Sequence, residues 1–155
     1  MNIFSQFSGI ARLARRAGWV LIACVAMSPS LCAQSLSVLY NFDVTHGDHP
    51  AGFTRASDGN FYGVTTDGGT GNGIAYKITT GGTLTVLHNF NVTDGSKPAG
   101  GLIQASDGNF YGTTVQGGSG YGVVFKMTSG GTVTVLHSFN VTNGAHPGRL
   151  LQASD

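Results

Sequence analysis

An eight-residue string, Ala56-Ser57-Asp58-Gly59-Asn60-Phe61-Tyr62-Gly63, returns unchanged at Ala105–Gly112, 49 positions later. The same offset relates Gly73-Ile74-Ala75-Tyr76-Lys77-Ile78-Thr79 to Gly122-Val123-Val124-Phe125-Lys126-Met127-Thr128. A third series is Val38-Leu39-Tyr40-Asn41-Phe42, Val86-Leu87-His88-Asn89-Phe90 and Val135-Leu136-His137-Ser138-Phe139, with offsets of 48 and 49. The slip of one lies between Phe42 and Ala56, in a stretch containing Pro50. Read as a loop, that stretch absorbs a length change at little cost. A tandem repeat limits the folds open to a chain, because one local structure must serve every copy and bury itself against its neighbours.

Turn chemistry divides each unit into four strands. Leu102–Ser106 runs into Asp107-Gly108, a hairpin signal in which both residues tolerate positive φ, and Asn109–Thr114 returns. A glycine-rich loop, Gly117–Gly120, leads to Val123–Met127, and Ser129-Gly130-Gly131 turns the chain into Thr132–Phe139. In that last strand Val133, Val135, His137 and Phe139 share one face, by the period of two. Composition agrees: 25 glycines, no glutamate and many Thr, Val, Phe and Tyr favour strands over helices. The reading is all-β, with tandem four-stranded antiparallel blades of about 49 residues forming a partial β-propeller. Ser37–Phe42 matches the last strand of a unit, as expected where an N-terminal strand completes the final blade and protects its edge. Full units span about 50–90 and 98–139, and a partial unit spans 147–155. That is fewer than the roughly four to eight blades of a propeller, so the expectation is a piece of a longer protein.

The first 33 residues read as an address. A basic opening, Met1–Arg16, precedes an apolar core, Ala17–Met27, and a small-residue stretch, Ser28–Ala33, that contains Pro29. That order predicts a signal peptide over 1–33, with cleavage after Ala33; a membrane span needs roughly 20 apolar residues. Leu21-Ile22-Ala23-Cys24 also resembles a lipobox, which would place a lipid anchor on Cys24. Both cysteines, Cys24 and Cys32, fall in the leader, so the mature chain is expected to hold no disulfide and no cysteine metal site. Residues 34–155 carry Arg55, Lys77, Lys97, Lys126 and Arg149 against seven aspartates. A weakly acidic body of that kind lacks the footprint of a nucleic-acid binder and the polybasic patch of an anionic-lipid binder.

The runs Gly101–Thr114 and Gly122–Met127 resemble the GloVer tandem repeat, a family of exported bacterial proteins with variable C-terminal anchoring signals. The resemblance covers nearly all of 36–155. It implies a secreted or surface-anchored protein with a propeller-like fold, and it implies no activity.

Candidate chemistry is sparse. Asp58-Gly59 and Asp107-Gly108 define the repeat as turn residues; the string also faintly resembles the Asp-box of sialidase-type propellers, itself structural. Asp43, Asp48 and Asp94 lie between units, but Asp43 becomes Asn91 and Asn140 and Asp94 becomes Asn143, so the carboxylate majority that calcium needs is lost. His46 and His49 have zinc-like spacing without a recurring third ligand. His49, Lys97 and His146, each before a proline, read as loop residues, and His88 and His137 as packing residues with a polar tip. Asn91-Val92-Thr93 and Asn140-Val141-Thr142 fit a glycosylation sequon but read as turns. No cofactor and no catalytic set is expected. The expectation is a non-catalytic extracellular or surface scaffold whose partner is a carbohydrate or a protein, without nucleic acid and without a membrane span after cleavage. The rival is part of a secreted propeller enzyme or carbohydrate-recognition domain acting on polysaccharide. It requires converging residues that break the repeat, and His46, Asp48 and Asp67 do so.

Overall fold

A computed structural model describes residues 37–153; the signal-peptide and Cys24 readings lie outside them. All but Ser37 belong to one compact unit. It contains two four-stranded antiparallel sheets and no helix among the described residues. The first sheet is β1 (Asp48–Arg55), β2 (Phe61–Asp67), β3 (Ile74–Ile78) and β4 (Leu84–Asn89); the second is β5 (Ser96–Gln104), β6 (Phe110–Gln116), β7 (Val123–Met127) and β8 (Val133–Ser138). In both sheets the spatial order is the chain order. Every connection within a sheet is therefore a hairpin, which needs only the short turns the sequence provides.

Alternation along β2 and β6 sets the packing. Tyr62 and Val64 face the second sheet, where they join Ala56 and Phe90 against Leu102, Phe110, Phe125 and Met127 in one core. Tyr62 and Phe110 stack with centroids 4.2 Å apart, and Phe90 meets Phe125 edge-on at 5.1 Å. On the opposite face of the first sheet, Ile74, Tyr76 and Ile78 form a second cluster with Tyr40, Phe42 and Phe61 around it. The glycine that closes the repeated string is required by this packing: a Cβ on Gly112 would lie 2.6 Å from the Phe125 ring.

Four expectations change in detail. The Asp-Gly hairpins are not two-residue turns. Gly59 N–H donates to Ala56 O and Ala56 N–H to Asn60 O, both at 2.9 Å, and among these turn residues only Gly59 takes positive φ, at 83°. This is a three-residue loop with a left-handed glycine at its end. It prevails because Asp58 turns its carboxylate onto Asn60 N–H at 3.0 Å. Second, the one-residue slip is not in a loop. β5 holds nine residues where β1 holds eight, and the pairing with β6 shifts between Ala99 and Ile103. The extra residue is taken up as a bulge inside the strand. Third, β1 and β5 begin earlier than expected, because His49 and Lys97 adopt positive φ (53° and 57°) and carry the ladder across their prolines. Fourth, Ser37–Phe42 and 147–153 are in no sheet. Each has the sequence of a strand, but among the described residues neither pairs with a partner strand in a ladder.

Candidate functional site

Both sets of connections have local causes. In the loop before β5, Asn91 Oδ1 accepts from Thr93 N–H and Oγ1 and from Asp94 N–H. Asp43 Oδ1 accepts from Thr45 N–H and Oγ1 and from His46 N–H. Asn140 repeats the pattern with Thr142 and Asn143. A side-chain oxygen is what the turn needs, which is why Asp and Asn interchange there. His88, expected to pack, does so against Phe90, and its Nε2 lies 3.0 Å from Asp94 Oδ2. His46 is held by Asp43 at 2.9 Å, away from the zinc arrangement considered with His49. Among the described residues no group of three His, Cys, Asp or Glu side chains is placed to hold a metal ion.

The two ends of the sheets carry different polar clusters. At the start of β1 and β5, Asp48, His49, Asp67 and Lys97 come together. His49 Nδ1 lies 3.4 Å from Asp48 Oδ1 and 3.5 Å from Asp67 Oδ2, and Lys97 reaches across from the second sheet to pair with Asp67. That pairing holds the Asp67 carboxyl below its ordinary range. Two of the three residues that break the repeat, Asp48 and Asp67, thus converge; His46 does not join them.

At the other end lie Asp58 and Asp107. Asp58 Oδ1 accepts from Asn60 N–H, and Oδ2 accepts from Asn60 Nδ2 at 2.8 Å and Tyr62 Oη at 3.0 Å. Asp107 repeats all three bonds with Asn109 and Tyr111. The side-chain amides of Asn60 and Asn109 are the main reason both carboxyls lie below the usual 3.8. Burial first, then the Asp58 bond, pushes Tyr62 up to about 12. A carboxyl depressed on folding stabilises above its unfolded pKa and loses that contribution as pH falls through its folded one. Stability is therefore expected to decline below pH 3.8 toward the depressed values. The double variant Asp58→Asn/Asp107→Asn should flatten that slope in denaturant titrations from pH 5 down to about 2; an unchanged slope would assign the acid sensitivity elsewhere.

Between the two sheets at this end runs an open groove of about 410 Å³. Asp58, Tyr62 and Lys77 line it from the first sheet, and Gln104, Phe110 and Ser129 from the second. Gln104 spans the junction, accepting from Ser57 N–H at 2.8 Å and donating to Gly108 O at 3.2 Å. Sequence reading singled out Asp58 and Asp107 but not Lys77, Gln104 or Ser129. Its only signal for them was the recurrence of lysine at 77 and 126 within an otherwise apolar strand.

No curated protein and no solved structure matches the chain. The family model described as the Gloeobacter/Verrucomicrobia repeat matches residues 23–155, which takes in both sheets and both flanking segments, and the chain belongs to that family.

Proposed function

We propose that this chain is the repeat region of an exported, propeller-forming protein whose blades serve as a non-catalytic extracellular or surface binding scaffold. One observation carries the propeller reading: the junction between the two sheets is repeated at both ends by segments that have no sheet of their own. Phe42 meets Tyr76 edge-on at 5.0 Å and 64°, as Phe90 meets Phe125 at 5.1 Å and 62°. The Leu39 carbonyl sits over Gly82 as the Leu87 carbonyl sits over Gly131. At the far end His146 N–H donates to Tyr121 O at 2.9 Å, as Lys97 N–H donates to Asn72 O at 3.0 Å. Val38–Phe42 therefore takes the seat of the last strand of a preceding blade, and 146–150 the seat of the first strand of a following one. A junction that recurs with one geometry either closes a ring or continues as a solenoid. The ring leaves fewer open sheet edges, which favours it over the solenoid.

The leader sequence supports export. The non-catalytic part rests on what the aspartates do, since Asp58, Asp107, Asp43 and Asp94 each accept a backbone N–H that holds their own turn. The test is to insert further copies of residues 91–139 after Phe139, one at a time, up to about eight blades. Melting temperature should rise in steps and then jump at one copy number, at which the amides of Val38–Phe42 become protected from hydrogen exchange. A smooth rise with those amides always exposed would mean an open solenoid.

A second reading, part of an enzyme acting on polysaccharide, draws on the convergence of Asp48, His49 and Asp67. Turnover of polysaccharides by the ring-closed protein that is abolished by Asp67→Asn would establish it in place of the scaffold.

A further inference from the structure

Resting on the scaffold reading, we propose that the groove between neighbouring sheets at the Asp-Gly turn end is a subsite for a neutral saccharide, one per junction. The groove presents one donor-only group, Lys77, and one acceptor-only group, Asp58, which form no direct ion pair with each other. Among the described residues Lys97 is the lysine that forms an ion pair. Lys77, half-buried on the central strand β3, acts on Asp58 only at longer range through its charge, and Lys126 acts on Asp107 in the same way. An ammonium offers three donors and no acceptor, and a carboxylate offers only acceptors. Asp58 Oδ2 is filled by Asn60 and Tyr62, while Oδ1 accepts a single bond and keeps a free lone pair.

The charges select the ligand class. An anion would be drawn to Lys77 but meet the charge of Asp58, and a cation would meet the reverse. An apolar ligand would strip water from an unpaired ammonium, which is costly. A sugar hydroxyl both donates and accepts, so adjacent hydroxyls satisfy Lys77 and Asp58 at once through charge-assisted bonds. Ser129, exposed on the β7–β8 turn of the second sheet, adds a hydroxyl that does either. Gln104 has both ends of its amide occupied and so acts as a fixed wall. The Tyr62 and Phe110 rings are buried against each other and form a floor that no ligand penetrates. One such groove is weak, but a protein with several junctions would grip a long glycan through many of them, the regime in which linked weak sites gain avidity.

The experiment is amide NMR of the chain titrated with neutral hexaoses of cellulose, xylan, mannan and laminarin, and with an oligogalacturonate as the anionic comparison. A neutral hexaose should shift the amides of Lys77, Ser129 and Gly130 with millimolar affinity. Lys77→Met should weaken binding by at least about tenfold, the loss of one charge-assisted bond, and Ser129→Ala by a smaller factor. Ser129 is exposed, so that variant reports even if Lys77→Met disturbs the strand. Three results would overturn the proposal: no neutral hexaose shifts these amides up to roughly 20 mM, only the galacturonate binds, or both variants bind like the parent. None of them bears on ring closure, which the unit-insertion series reads independently.

Discussion

Phe90→Ala should lower the free energy of unfolding by about 3–5 kcal/mol, while Phe139→Ala, the same substitution one repeat later, should cost about 1 kcal/mol. The two residues share their place in the repeat and the sequence around them. Phe90 is 0% exposed because Phe125 and Val123 of the second sheet close over it. Phe139 is half-buried, with the His137 ring at 4.7 Å and no further sheet beyond it among the described residues. Removing the Phe90 ring forfeits its transfer energy and leaves a cavity lined by two sheets, whereas the Phe139 site opens to solvent and collapses or hydrates. Denaturant unfolding followed by circular dichroism checks the pair, and for a unit of this size the difference amounts to roughly 10 °C in melting temperature. Equal costs would mean that packing between sheets is not what buries Phe90. Adding a third full unit should bring Phe139→Ala up to the cost of Phe90→Ala.

The second large effect separates two glycines of like conformation. Gly108 has φ 79° and Gly131 φ 93°. A Cβ on Gly108 meets nothing within 4 Å, so Gly108→Ala should cost only the left-handed penalty of an L-residue, about 1–2 kcal/mol. A Cβ on Gly131 would collide with the Leu87 carbonyl oxygen and lie 2.9 Å from its carbon. Backbone cannot rotate aside as a side chain can, so Gly131→Ala should add about 1–3 kcal/mol of overpacking to the same conformational penalty. It should also loosen the sheet junction, seen as faster hydrogen exchange at Leu87 and Phe90. If the two substitutions cost the same, the close approach of β4 to the β7–β8 turn is absent in solution.

Both pairs illustrate how far the repeat is legible. Within one unit the turn residues and the order of four strands are local properties, and β2, β3, β6 and β7 fall close to where the turn chemistry places them. The alternation expected along the last strand breaks, because a bulge at Leu136 separates Val135, paired with Phe125, from His137, paired with Val124. The first strand of each unit was harder. Pro50 and Pro98 argue for a loop, and only pairing with β2 and β6 reveals that the ladder runs through them behind a residue at positive φ. The clusters were harder still. Asp48 and Asp67 stand out as departures from the repeat, yet their meeting with Lys97 depends on how the second sheet lies on the first. Lys77 and Ser129 are on different sheets, and no spacing rule relates them.

By itself, the sequence determined the unit, its period, its all-β character and the turn at which each hairpin closes. These follow from which residues tolerate positive φ and which prefer a pleated, half-buried surface, properties that act over a few neighbours. Tertiary structure alone decided which of two equivalent phenylalanines is core, where the extra residue of β5 is absorbed, and which polar groups border one groove. Those outcomes depend on contacts between sheets, and identical units differ in them as soon as their neighbours differ.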